Sequence, residues 1–207
     1  MTILALEFSS PQRSAAVSHA GRVAEVIETG GRGTNAFGLI EQVLTDTRIE
    51  REQIQVIAVG LGPGSYTGIR VAISLAQGWQ LARGVKLLGV SSADCLAAQA
   101  QAEKIFGRVN VVIDAQRGQF YLASWEISAT GRREMAALKI VPAAEIDARR
   151  KAGEICSGPA GERISFPRAA TILALAAGRA DFVSGETLQP IYLREANFVK
   201  SPPGRTF

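Results

Sequence analysis

The sequence predicts a bilobal α/β protein, and three observations carry that prediction. Apolar runs suited to central strands stand at Thr2–Phe8, Ile54–Val59, Val85–Val90 and Val109–Asp114. Helical patterns are interleaved with them, at about 34–48, 67–83 and 91–102. The order strand-strand-strand-helix-strand-helix is then written twice, weak in letters and visible in element order. Two such copies imply two lobes with a cleft between them. The division is placed at residues 1–106 and 107–207, the second lobe being the smaller.

Thr2–Phe8 (TILALEF) opens the first copy. Ser14–His19 and Val23–Glu28 flank a turn at Ala20-Gly21-Arg22 and form a hairpin pattern. A glycine-rich loop from Gly30 to Gly33 follows, and Thr34 or Asn35 can cap a helix running to about Arg48. Phe37, Ile40, Val43 and Leu44 share one face of that helix.

Ile54–Val59 runs into Gly60-Leu61-Gly62-Pro63-Gly64-Ser65, where glycine permits close backbone approach and Pro63 stiffens the turn. Ser65 or Thr67 can cap the next helix. That helix is apolar almost all round. Ile69, Val71, Ala72, Ile73, Leu75, Ala76, Trp79, Leu81 and Ala82 leave only a thin polar stripe of Arg70, Ser74 and Gln77. Such a helix is buried on more than one face, either inside a large core or beneath a second cover. Small residues at Ala72, Ala76 and Gly78 would let another backbone come close. After the strand at Val85–Val90, Ser91 or Ser92 caps a helix through about Ala102.

The second copy begins at Val109–Asp114 and continues with Gln119–Ile127, a turn at Thr130-Gly131-Arg132 and a strand at about Ala136–Val141. Pro142 opens a short helix to Arg150. A strand-like Glu154–Ser157 and a helix at Ala169–Ala177 follow.

Composition narrows the function classes. Hydrophobic residues make up 47% and charged residues 20%, an ordinary globular balance. Twenty-three basic residues against nineteen acidic ones leave a net charge of +4, without a basic run interleaved with aromatics. That permits an RNA-containing assembly without arguing for one. Cys95 and Cys156 lack metal-ligand spacing and read as buried free thiols in a reducing compartment. No apolar run approaches the ~18 residues that span a bilayer, and no leader pattern opens the chain. A soluble, cytoplasmic protein is expected.

The glycine loop invites a phosphate reading, because helix-start amides favour anions. The pattern fails in detail. No lysine precedes the Ser or Thr as GxxxxGK[ST] requires, and Thr67 stands where GxGxxG needs its third glycine. Ser65 and Tyr66 have no identifiable base nearby in sequence. The single histidine, His19, sits on a hairpin strand, so no His-dependent triad and no two-histidine metal site can be built. Glu7 and Asp114, each ending a strand, read either as a carboxylate pair across the cleft or as acids solvated at strand ends.

The run GPGSYTGIRVAISLAQG, Gly62–Gly78, resembles the signature of the TsaB (YeaZ-like) family. ILALEFSS with SAAV, GVSSADCLA, IDAQRGQFY (Ile113–Tyr121) and PIYLRE (Pro190–Glu195) support the resemblance in the family's order across nearly the whole chain. It implies two RNase H-like lobes of the actin, sugar-kinase and Hsp70 type. Glu7 replaces the family's usual aspartate, Asn35 stands where a histidine is common, and the short region 153–180 implies a trimmed second lobe. The hairpin positions Glu7–Ser10 and Asp114–Gly118 lack the glycine pair of phosphate loops, and Arg13 and Arg117 add bulk.

The resemblance further implies a non-catalytic subunit of the bacterial machinery that places threonylcarbamoyl groups on tRNA adenosine. Its partners would be the catalytic paralogue TsaD and the ATPase subunit TsaE, with tRNA met only through the complex. ATP and metal are expected on those partners and no cofactor on this chain. Helices 34–48 and 67–83 would form a four-helix interface with TsaD, or with a second copy of this chain. Phe37, Ile40, Glu41, Leu44, Gly64, Tyr66, Thr67, Arg70, Ala72, Ile73, Ala76 and Trp79 are the interface residues expected. The alternative is an active ATP-dependent small-molecule kinase of the same fold.

Overall fold

The structure, a computed structural model, describes residues 1–30 and 35–193. The first sheet is built from β1 (Ile3–Glu7), β2 (Gln12–His19), β3 (Arg22–Thr29), β4 (Val56–Gly60) and β5 (Lys86–Val90), in the order β3-β2-β1-β4-β5. β1 pairs antiparallel with β2 and parallel with β4, and β5 continues the parallel half. Helices α1 (Ala36–Thr47), α2 (Tyr66–Arg83) and α3 (Ser92–Ala102) lie between or after these strands, as the sequence order predicts.

The second sheet has one strand fewer. β6 (Gly107–Asp114), β7 (Gln119–Ser128), β8 (Gly131–Pro142) and β9 (Ile155–Ser157) take the order β8-β7-β6-β9, with α4 (Ala143–Lys151) before β9 and α5 (Ala169–Ala176) after it. β8 begins at Gly131 rather than near Ala136, because the β7–β8 hairpin pairs down to Ser128–Gly131. Arg194, Glu195 and Thr34 lie outside the described residues.

Successive strand residues face opposite sides, so each sheet needs two covers. Leu4 and Leu6 of β1, with Ile57 and Val59 of β4, pack beneath α1 and α2. Ile3, Ala5, Val56 and Ala58 face the other way, onto Ala169, Ile172, Leu173 and Ala176 of α5. In the second sheet Val109, Val111 and Ile113 face Ala93, Leu96, Ala97 and Ala100 of α3. Val112 and Leu122 face Ile146 of α4.

The helices therefore cross a boundary drawn at 106/107, although the sheets do not. α3 precedes the second sheet and covers it. α5 follows the second sheet and covers the first. Its own N-terminal residue Arg168 makes no side-chain cap. Instead Ala169 N–H donates to Ser14 Oγ at 2.8 Å, Ala170 N–H donates to Glu25 Oε1 at 2.9 Å, and Arg168 pairs with the Glu25 carboxylate. Side chains of β2 and β3 thus satisfy amides that a helix leaves open at its start. The two buried thiols are unpaired: Cys95 packs behind the first sheet and Cys156 behind the second.

Candidate partner interface

The glycine loop before α2 is closed by the chain's own backbone. A Cβ at Gly60 would collide with the Glu7 carboxylate, at Gly64 with the Ser9 carbonyl, and at Gly68 with the Phe8 carbonyl. Ser65 N–H donates to Ser9 O at 2.6 Å, and Ser65 Oγ caps α2 by accepting from Gly68 N–H at 3.3 Å. Glycine here admits protein oxygens, which occupy the approach that a phosphate would need.

Glu7 sits under this loop, fully buried. Ser9 N–H donates to its Oε1 at 2.7 Å and the Ser92 hydroxyl to its Oε2 at 2.8 Å. Ser92 Oγ also accepts from Gly62 N–H at 3.2 Å, tying the loop to α3. Burial pushes the Glu7 carboxyl above its ordinary value, opposed by the hydrogen bonds from Ser9 and Ser92. Burial, and then Glu7 itself, push the Cys95 thiol well above its usual range, which leaves it unreactive. Asp114 is exposed and accepts from Gln116 N–H and Nε2, both at 2.7 Å. Glu7 is held by Ser9 and by Ser92 of α3, and Asp114 by Gln116 beyond its own strand end. Glu7 is neither a partner of Asp114 nor solvated, because Gly60 leaves room for its side chain inside the fold.

His19 is exposed and shares a 2.7 Å hydrogen bond with Thr2 Oγ1. Among the described residues, no three or more His, Cys, Asp and Glu side chains gather closely enough to hold a metal ion. No helix of the described residues is long and apolar enough to cross a membrane.

Above the loop, α1 and α2 lie side by side and leave a groove of about 480 Å³ between them, walled by Phe37, Leu75 and Trp79 and open at Ser74 and Gly78. Phe37 is 64% exposed, Tyr66 57% and Leu81 91%. Nothing lies within 4 Å of the position a Gly78 Cβ would take. The rim is charged: Arg51 pairs with Glu41 at 2.6 Å, and Arg83 with Glu52 at 3.5 Å. At the helix start Arg70 lies 4.0 Å over the Tyr66 ring and donates to the Tyr192 hydroxyl at 2.9 Å. Tyr66 and Tyr192 stack at 5.9 Å.

The expected interface residues divide between two sides. Phe37, Glu41, Tyr66, Thr67 and Arg70 are exposed on the helix pair, and Trp79 is half-buried. Ile40 forms the groove floor. Gly64 is half-buried against Ser9. Leu44, Ala72, Ile73 and Ala76 face inward and are buried in the chain's own core. Their assignment to a partner side is corrected: the positions 69, 72, 73 and 76 recur at helical spacing over the sheet. Positions 71, 75, 78, 79 and 82 form the opposite stripe. That second stripe was readable in the sequence, and it places Leu75 and Gly78 on the outside. Arg51, Glu52 and Tyr192 carried no such signal.

A family model described as TsaD, tRNA N6-adenosine threonylcarbamoyltransferase, matches residues 34–193. The TsaB protein of Escherichia coli is 31% identical over 133 residues, 63% of this chain and 58% of that protein. The Bacillus subtilis TsaB protein is 30% identical over 61% of this chain and 56% of its own length. The chain thus spans little more than half the length of these relatives. A solved Pseudomonas aeruginosa structure, described as having similarity to peptidase YEAZ, superposes with a TM-score of 0.80 at 27% identity. That match covers 93% of this chain and 99% of the other. A second, titled YeaZ from the same organism, gives 0.79 at 26% identity. The chain shares its fold with these two structures, and it belongs to the TsaD family of that model.

Proposed function

We propose that this chain is a non-catalytic scaffold and activating subunit in threonylcarbamoylation of tRNA adenosine. In this reading it pairs through α1 and α2 with the catalytic paralogue TsaD. The observation that carries the proposal is the groove between the two helices: an apolar trough flanked by Phe37 and Trp79, ringed by ion pairs and open at Gly78. An apolar centre with a charged rim is the anatomy of a specific protein interface. The Escherichia coli and Bacillus subtilis relatives support the pathway, because both are named tRNA threonylcarbamoyladenosine biosynthesis proteins.

The non-catalytic part of the proposal is supported by the closed glycine loop and by the engagement of both acids within the chain, Glu7 by Ser9 and Ser92 and Asp114 by Gln116. In the proposed assembly TsaE supplies ATP hydrolysis and tRNA is met through the complex. A second copy of this chain competes for the same groove when TsaD is absent. The test is co-purification and light scattering of this chain with TsaD, alone and with Gly78→Arg. The expected result is a stable hetero-pair that the arginine abolishes while the variant keeps its fold. A hetero-pair of unchanged affinity with Gly78→Arg would overturn the assignment of the groove.

A further inference from the structure

A second cavity lies away from the helix pair. It has a volume of about 600 Å³ and is bounded by the end of β5 (Gly89–Val90), α3 (Asp94, Gln101), the β7–β8 hairpin (Trp125, Arg132) and the residues after α5 (Arg179). Three features set it apart from an ordinary surface crevice. The first is the Trp125 side chain, only 8% exposed, whose indole N–H is buried and has no hydrogen-bond acceptor among the described residues. A buried donor left without an acceptor costs roughly 1–3 kcal/mol, so its persistence asks for a partner from outside the chain.

The second is the placement of positive charge. Arg132 meets the pocket with one guanidinium hydrogen bond, to Gln101 Oε1 at 3.2 Å, which leaves most of its donors uncommitted. Arg179 is held in place by Asp181 and by the Gly89 carbonyl. The third is Asp94, half-buried in the first turn of α3, whose carboxylate makes no hydrogen bond or ion pair among the described residues. Burial and then Glu134 push its carboxyl up, while Arg132 and Arg179 pull it down.

We propose that this pocket binds a small organic anion. Its carboxylate or phosphate oxygens are taken by Arg132 and by the Trp125 indole N–H, and a hydroxyl or amino group of the same molecule donates to Asp94. The volume suits a ligand of metabolite size, and Val90 and Leu175 supply an apolar wall for its carbon skeleton. The site draws on both sheets, since β5 and α5 belong to the first and the β7–β8 hairpin to the second. A bound ligand would therefore couple the first sheet to the hairpin end of the second.

The test uses the full chain labelled with 15N. The sequence has two tryptophans, so two indole N–H signals appear, and Trp79→Phe assigns them. Citrate represents the carboxylate source, AMP the phosphate source, and inorganic phosphate serves as a control without a carbon skeleton. The expected result is a saturable shift of the Trp125 signal with citrate or AMP, at a dissociation constant below about 1 mM. By calorimetry, Arg132→Gln and Trp125→Phe should each weaken that binding at least about tenfold. Trp125→Phe should also raise the melting temperature of the unliganded chain, because it removes the unmet donor. The proposal fails if neither citrate nor AMP shifts the Trp125 signal saturably. It fails equally if both variants, folded by circular dichroism, bind as the parent does.

Discussion

The Ser92 hydroxyl donates a 2.8 Å hydrogen bond to Glu7 Oε2, joining the end of the first strand to the start of the helix that leads into the second sheet. Ser92 simultaneously accepts from Gly62, so three separate segments meet at one buried carboxyl. The Glu7 side chain points into the fold, where through Ser92 it holds the loop that precedes α2.

That burial has a pH signature. The Glu7 carboxyl lies above its ordinary value of 4.5 in the folded chain. Folded protein therefore keeps a proton that unfolded protein releases. The contribution of Glu7 to stability is full below about pH 4.5 and is lost as pH rises through the folded value, by up to about 1.4 kcal/mol per pH unit. Glu7→Gln has no proton to lose, so its melting temperature should gain on the parent's as pH rises from about 4.5 toward neutrality. Parallel melting curves for the two proteins across that range would show that Glu7 does not titrate with folding.

The glycines of α2 should respond in opposite directions. A Cβ at Gly68 would meet the Phe8 carbonyl, part of the backbone at the end of β1, which has no free rotamer with which to yield. Gly68→Ala is expected to destabilise the chain by about 1–3 kcal/mol or more. Gly78 faces open space within the same helix, so Gly78→Ala should stabilise it by about 0.5–1 kcal/mol through helix propensity alone. Urea titration of both variants checks this pair. Equal effects would mean that the loop is not pressed against the first strand.

Calorimetry with ATP and magnesium tests the closed loop directly. Because Phe8 and Ser9 oxygens already occupy the space in front of Gly64 and Gly68, binding tighter than about 1 mM is not expected. A micromolar site on this chain alone would revive the kinase alternative.

Element order was legible in the sequence because apolar period and turn chemistry are local. Each strand run from Thr2–Phe8 to Val109–Asp114 and each main helix falls within a few residues of its expected place. Which sheet a helix covers was not legible. Ala169–Ala176 reads as a second-lobe helix, yet its cap comes from Ser14 and Glu25, about 150 residues earlier in the chain, and no local pattern records that. The orientation of Glu7 was hidden for the same reason, since it depends on the missing side chain of Gly60 in a neighbouring strand. The outward stripe of α2 was present in the spacing of Leu75, Gly78 and Trp79. It was masked by the equally apolar inward stripe.

The two stripes of α2 give the last prediction. Ala72 and Ala76 are fully buried against the first sheet, so arginine at either must force a charge into the chain's own core. An unpaired buried charge costs several kcal/mol by order of magnitude. Ala72→Arg and Ala76→Arg should therefore fail to fold, whether or not a partner exists. Leu75 and Gly78 lie on the other stripe, where an added guanidinium can reach water in the isolated chain. Leu75→Arg and Gly78→Arg should melt within a few degrees of the parent yet lose pairing with TsaD in light scattering. The contrast between the pairs separates core from interface within a single helix. If Leu75→Arg unfolds as Ala72→Arg does, the outer stripe is core as well. If it folds and still pairs at parental affinity, the partner docks elsewhere.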